Sequence, residues 1–513
     1  MYCKVLSGAV HGIGGLLIQV ETDVSDGLPG FSMVGMLSSE VKEAGERVRT
    51  ALKNSKYKIP PKRITVNLSP ADIRKEGAAF DLAIAVAILV NLGYIPQENL
   101  KDVLVIGELS LNGDVNRVNG VLPIISEAAG RGCKICVVPE ENAREASVVK
   151  GMKVFGVKTL RETMEMLMAA DSGKYAYKIG RGEGNYKENT ADFSEVIGQV
   201  ALKRAAEVAA AGMHNFLMVG PPGSGKTMIA SRIPSILPSL GFAESIEITK
   251  IYSVAGKLDS ENPLITNRPF RAPHHTTTRS AMAGGGRKAL PGEITLANHG
   301  VLFLDELPEF DTSVLEILRQ PLEEGRVELA RVYGNYSYPA KFMLVAAMNP
   351  CKCGYYPDMS RCTCSSEQVK RYLRRISRPL LDRIDICVEV PKLEFVQIAS
   401  EKKEESSADI RERVERARII QKKRYGSNVC YNSRLNASET KRYCSLDAEC
   451  SGLVEKVYES MGLTARSYHK LLKVSRTIAD LDGGGPITKK HVSEALLYKG
   501  FLQGELRGGG FGR

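Results

Sequence analysis

One stretch limits what this chain can become more than any other: GPPGSGKT, Gly220 to Thr227. It fits G-x-x-x-x-G-K-[ST], follows the apolar run Phe216-Leu217-Met218-Val219 and leads into a segment of helical pattern. A strand, a glycine-rich turn and a helix in that order make a phosphate cradle. Gly220, Gly223 and Gly225 let successive backbone N–H groups curl round phosphate oxygens without a Cβ in the way, with Pro221, Pro222 and Ser224 shaping the turn. Lys226 is expected to reach the β- and γ-phosphates, and the Thr227 hydroxyl to sit on Mg²⁺. The expected ligand is a nucleoside triphosphate with Mg²⁺.

Two further strands complete that expectation. Val301-Leu302-Phe303-Leu304 ends in Asp305 and Glu306, about 80 residues beyond the loop. Asp305 is suited to hold Mg²⁺ through its water shell, and Glu306 to orient and polarise the attacking water. Phe342 to Met348 reads as a third strand ending in Asn349-Pro350, where an amide can sense the γ-phosphate and the proline breaks the strand. Before it, Arg326 to Lys341 reads as a hairpin: VELARV, a GNYS turn, then YPAK. Further on stand SRPLLDRIDI, Ser377 to Ile386, and the amphipathic helix TARSYHKLLKVSRTIADL, Thr464 to Leu481.

The fold class expected is α/β, in several domains. Residues 1–170 read as a separate α/β unit, 171–192 as a Gly-, Lys-, Tyr- and Asn-rich linker, and 193–390 as the ATPase core. Residues 391–500 read as a helical, charge-rich region and 501–513 as a flexible tail. Within the first unit, Ser39 to Lys53 has amphipathic periodicity and Phe80 to Leu92 that of a buried helix.

The formal net charge of +11 is compatible with a polyanionic partner. No uncharged apolar run approaches a membrane span, and the Val5 to Val20 region is glycine-broken without a small-residue cleavage site. A cytoplasmic protein is expected, and the 11 cysteines suit that compartment if they are reduced or bind metal. Cys133 and Cys136 form a C-x-x-C on an apparent strand, where alternation separates them to opposite faces; packed thiols are the reading. Cys351, Cys353, Cys362 and Cys364 form two C-x-C pairs eight residues apart. They supply either four thiolates for structural Zn²⁺ or a chance cluster of free thiols. His274-His275 reads as part of a turn, and Lys370 to Arg378 and Glu401 to Arg424 as solvated helix faces.

In the first unit, KEGAAFDLAIA (Lys75 to Ala85), GELSLNGDVNRVNGVLPIISEAA (Gly107 to Ala129) and VVPEEN (Val137 to Asn142) resemble the proteolytic domain of the Lon family. That family uses a nucleophilic Ser and an activating Lys. Here the matching positions are Ala79 and Leu122, neither of which can attack a carbonyl or take a proton, so a Lon-like fold without protease activity is expected.

The order of motifs across nearly the whole chain resembles AAA+ ATPases, and within them the magnesium-chelatase-like group called ComM or YifB. The most specific stretches are GLPGFSMVG (Gly27 to Gly35), RPFRAPHHTTT (Arg268 to Thr278) and PGEITLANHGVLFLDELPEF (Pro291 to Phe310). The resemblance implies an AAA+ core with an insertion, a hairpin before the first sensor and a helical C-terminal lid. It implies that Asn349 is the first sensor, Arg383 the arginine finger and Arg466 the second sensor. It further implies a hexameric ring with ATP between subunits and with the insertions projecting into the channel. The insertion carries Arg268, Arg271, Arg279, Arg287 and Lys288; the hairpin carries Arg331 and ends at Lys341, with Tyr333, Tyr336 and Tyr338 nearby. Arg279, Arg287, Lys288, Arg331 and Lys341 are the expected DNA-contacting set, tracking the backbone of single-stranded or branched DNA. The implied activity is a helicase that promotes branch migration in recombination and uptake of transforming DNA. The alternative is a chelatase-like protein remodeller that does not act on DNA.

Overall fold

The computed structural model describes residues 2–169, 176–177, 191–259, 261–286, 288–331, 334–392, 404–426, 431–460 and 462–499. Arg287, Tyr333, the tail from 501 and most of the linker lie outside the described residues.

Period-2 alternation near the N-terminus becomes the antiparallel pair Tyr2–His11 and Gly14–Ser25, in register from Tyr2↔Asp23 to His11↔Gly14. It sits inside a seven-stranded sheet ordered Gly30–Val34, Arg63–Ser69, Gly14–Ser25, Tyr2–His11, Val103–Val105, Ile135–Pro139, Lys153–Val157. The helix Asp81–Asn91 lies across the first two strands and is buried along its whole length, as its unbroken apolar run requires. Arg47 grips its first residue through two hydrogen bonds of 2.8 and 3.1 Å. Burial still lifts the Asp81 carboxyl to about 6, against the pull of that guanidinium. The amphipathic stretch from Ser39 is two helices, Ser39–Lys42 and Ala44–Asn54, broken at Glu43. Cys136 is fully buried, its thiol pushed up to about 12 by that burial, so the C-x-x-C thiols are packed ones.

Ala176 and Tyr177, within the expected linker, dock on the last strand of this sheet: the Tyr177 N–H donates to the Val154 carbonyl at 2.8 Å.

The second sheet is wholly parallel, ordered Phe270–Arg271, Val301–Leu304, Met343–Met348, Phe216–Val219, Ile386–Glu389. FLMV, VLFL and MLVAAM are buried at every position, because helices and loops cover both faces. The two sheets are joined through the helix Phe242–Val254, which packs on Val121–Gly130. Across that seam the Arg117 guanidinium donates to the Leu258 carbonyl at 2.9 Å.

Among the described residues, five α-helices follow the last strand: Ser407–Tyr425, Ala437–Tyr443, Ala448–Ser460, Ala465–Leu481 and Lys489–Leu497. The first is only partly the solvated face expected: Arg411, Glu412, Arg416, Lys422 and Lys423 are exposed, while Arg413, Arg418 and Arg424 turn inward. It packs against Val200–Gly212, Lys226–Ile236 and Ala465–Leu481, so its inward charges meet partners. Arg413 pairs with Glu207, Arg424 with Asp480, and Arg418 lies 3.8 Å above the Tyr431 ring. Charge density alone does not distinguish a wet helix face from one laced by ion pairs. Among the described residues no helix is long and apolar enough to cross a membrane.

Candidate nucleotide-binding site

The loop Gly220–Gly225 leaves the strand Phe216–Val219 and enters the helix Lys226–Ile236. Gly223 and Gly225 hold φ values of 74° and 87°, left-handed conformations that bend the loop over the helix N-terminus. The Lys226 ammonium donates to the carbonyls of Gly220 and Pro221, each at 2.8 Å, and to Asn349 Oδ1 at 3.3 Å. Burial lowers the Lys226 pKa, an effect that Asp305 and Glu306 partly offset. The Thr227 hydroxyl donates to Asp305 Oδ2 at 2.6 Å. A hydroxyl and a carboxylate so close are the hard oxygen donors that suit Mg²⁺, and no soft ligand intrudes.

The geometry follows from strand order. The strand ending at Asn349 lies between the loop strand and the strand ending at Asp305, so all three sets emerge from the same carboxyl edge. Glu306 follows directly at φ 50° and ψ 48°, a left-handed conformation unusual for a residue with a Cβ. Its side chain is more than half exposed, and His275 Nδ1 stands 3.7 Å from its carboxylate. Sequence reasoning assigned His275 to a turn. The paired histidines within RPFRAPHHTTT were the only sign of its place beside the acid. Tyr372, whose hydroxyl is pushed up by burial, lies against the Asn349 backbone and was not foreseen.

Arg383 and Arg466 are brought to each other, not to this loop. Both guanidiniums bind Glu323 Oε1, Arg383 at 2.6 Å. Burial would raise the Glu323 carboxyl, but Arg383 and Arg466 outweigh it and hold the group below its ordinary value. Arg383 also donates to the carbonyls of Arg319 and Pro379, and its own carbonyl accepts from the Asn215 amide. The two arginines line a cleft of about 500 Å³ with Arg434, Lys470 and Lys473, and none of residues 220–227 lines it. Nothing in the sequence marked Glu323.

The basic insertion divides. Arg268 is buried and donates to the carbonyls of Pro238 and His299, and Arg271 is bidentate to Glu293 at 2.6 and 2.8 Å. Both are consumed by the fold. Arg279, Arg331 and Lys341 are exposed, and Lys288 is largely so, 3.2 Å from Glu40. Arg331 lies over Gly285, so the hairpin Arg326–Pro339 and the insertion adjoin. Tyr338 is buried with its hydroxyl donating to Ala289, and Tyr336 faces His11 at 5.0 Å, so neither forms an open stacking platform.

Ala79 lines a larger cleft, about 810 Å³, between the first unit and the hairpin; Leu122 is fully buried elsewhere. Among the described residues that cleft is lined by no Ser, Thr or Cys.

The four clustered cysteines converge. Their sulfurs all lie within 4.8 Å of one another, with Cys351 Sγ 3.3 Å from Cys353 and 3.8 Å from Cys362. Tetrahedral zinc with Zn–S bonds of about 2.3 Å requires S···S edges of about 3.8 Å, so the donor set fits that ion.

The family described as Magnesium chelatase, subunit ChlI, matches residues 192–398; Subunit ChlI of Mg-chelatase matches 20–142, and Magnesium chelatase, subunit ChlI C-terminal, matches 404–499. Competence protein ComM of Haemophilus influenzae is 43% identical over 97% of both chains. YifB of Escherichia coli K12 is 41% identical over 96% of both. A Lon protease of Trichlorobacter lovleyi is 26% identical over 31% of this chain and 22% of its own. The match runs through the phosphate loop, the acidic strand and the C-terminal helices alike, and the chain belongs to the ComM/YifB group of magnesium-chelatase-like AAA+ ATPases.

Proposed function

We propose that this protein hydrolyses Mg-ATP and uses the turnover to move on single-stranded or branched DNA as a hexameric ring. The observation that carries the ATPase is the meeting of Lys226, Thr227, Asp305 and Asn349 at one sheet edge, with Glu306 next to them. Lys226 and the loop amides hold the β- and γ-phosphates. Mg²⁺ held by Thr227 and Asp305 would neutralise phosphate charge. Glu306 takes a proton from the attacking water, and Asn349 helps position it. Residues 1–170 are read as a Lon-like unit without a dyad, and zinc as the ion of Cys351, Cys353, Cys362 and Cys364.

Arg383 is assigned to the neighbouring subunit's nucleotide, with Arg466 beside it as second sensor, since both are held on Glu323 in a cleft that none of residues 220–227 lines. Arg383→Ala is expected to slow hydrolysis by about 10³- to 10⁵-fold. Mixing it with Lys226→Ala, which keeps its arginine but lacks the loop lysine, is expected to restore turnover. Two inactive preparations that stay inactive when mixed at matched assembly would contradict action in trans.

DNA as the track rests on what the ComM-group resemblance implies and on the exposed cations Arg279, Lys288, Arg331 and Lys341. Affinity for a four-way junction should fall linearly with salt on logarithmic axes, and Arg331→Ala combined with Lys341→Ala should flatten the slope by about 2. An unchanged slope would remove these residues from the interface. Binding that ignores salt altogether would favour the protein remodeller.

A further inference from the structure

We propose that the four-cysteine knuckle braces the phosphate loop, so that nucleotide affinity depends on a bound zinc ion. This rests on the reading of the four thiols as a zinc site and adds a consequence for the site beside them. Residues 351–364 begin two positions after Asn349 and contain little regular structure. Among the described residues, the sulfurs of Cys351, Cys353, Cys362 and Cys364 are the group of three or more candidate ligands close enough to share an ion. Cys351 is fully buried in the core that also holds Val219, Met348 and Tyr372, the residues beneath the loop and the first sensor. The Tyr356 N–H points at the Cys351 sulfur at 3.4 Å, the kind of backbone donor that stabilises a metal-bound thiolate.

The contact that links this knuckle to the nucleotide is Gly354. It lies between Cys353 and Cys362 with φ at +87°, and a Cβ placed there would stand 2.4 Å from Cδ of Pro222. Pro222 is within the phosphate loop, and its ring has no rotamer by which to retreat. The glycine therefore lets the knuckle backbone lie flush against the loop. On the loop's other side, the Gly220 N–H is tied to the Met348 carbonyl at 3.2 Å. The loop is held between the sensor strand and the knuckle. A segment of this length without helix or sheet keeps its shape only if something closes it, and four thiolates on one ion would do so. Loss of the ion frees the wall that Pro222 leans on, and the loop amides lose their preorganised curl.

The test uses the full chain purified under reducing conditions. Zinc content is measured by mass spectrometry, and the affinity for a fluorescent ATP analogue is titrated with Mg²⁺ present. About one zinc per chain is expected. Removal with a zinc-selective chelator should weaken the analogue about tenfold or more, and added zinc should restore it. Cys362→Ser should behave like the stripped protein. Gly354→Ala should keep its zinc yet weaken the analogue about tenfold, because the methyl displaces Pro222. That variant decides the matter if stripping or the Cys362 change unfolds the chain. Protein without zinc would overturn the metal reading and the brace with it. Zinc present, with affinity unchanged in the stripped protein, would overturn the brace and leave the metal site standing, as would an unchanged Gly354→Ala where stripping unfolds the chain.

Discussion

Lys226→Ala is expected to abolish nucleotide binding at ordinary concentrations while leaving the fold intact. Lys226 is nine-tenths buried, and its ammonium donates to two loop carbonyls and to Asn349, so it links the cradle to the first sensor. Truncating one partner of a buried, hydrogen-bonded charge pair costs about 2–5 kcal/mol, or ~30- to several-thousand-fold in affinity. Equilibrium binding of a fluorescent ATP analogue measures this directly, and normal ATPase activity in the variant would remove the phosphate-loop assignment. The same lysine sets a pH dependence. Its charged form binds phosphate and burial lowers its pKa, so ATP affinity should decline with rising pH, beginning below the ordinary lysine value of 10.5. Phosphate binding favours the charged form, so the decline belongs to the free site's titration.

Glu306→Gln is expected to keep ATP bound and to cut its hydrolysis by about 10²- to 10⁴-fold, the usual contribution of a positioned general base. The amide keeps the shape and the left-handed backbone but cannot take a proton. Asp305, whose Oδ1 accepts from the Glu306 N–H at 2.9 Å, keeps its place by Thr227, so the Mg²⁺ donors are undisturbed. Single-turnover hydrolysis with pre-bound ATP separates binding from chemistry. Rapid cleavage by this variant would assign water activation elsewhere, with His275, 3.7 Å from the Glu306 carboxylate, as one candidate.

The phosphate loop, the acidic strand and the helix from Ala465 were legible in the sequence, because each depends on local pattern: glycine spacing, an apolar run with a polar end, an amphipathic period. The hairpin was legible but its turn was misplaced, since GNYS opens the return strand Gly334–Pro339, paired from Arg331↔Gly334 onward. What the sequence did not carry is pairing across distance. Arg383 and Arg466 are 83 positions apart and meet on Glu323, which no motif marks. Arg268 looked like a surface cation and is buried, and Arg424 is half-buried against Asp480, because a buried guanidinium and an exposed one have the same sequence signature. The fit of the four thiols was visible as spacing, but the contact of Gly354 with Pro222 joins two loops that only the folded sheet brings together. Asp385 makes the same point. It sits in SRPLLDRIDI as one more acid, yet burial there is outweighed by Lys470 and His214, which hold its carboxyl far below the ordinary range.

The central claim is a motor whose ATP turnover is coupled to DNA. The most direct measurement is steady-state ATP hydrolysis by the full chain, with and without single-stranded and four-way-junction DNA, at low and high salt. The account predicts hydrolysis that DNA accelerates and that loses the acceleration as salt rises, since each neutralised phosphate releases a counterion. Robust hydrolysis that is indifferent to both DNAs at both salt concentrations would contradict it and leave an ATPase that works on protein.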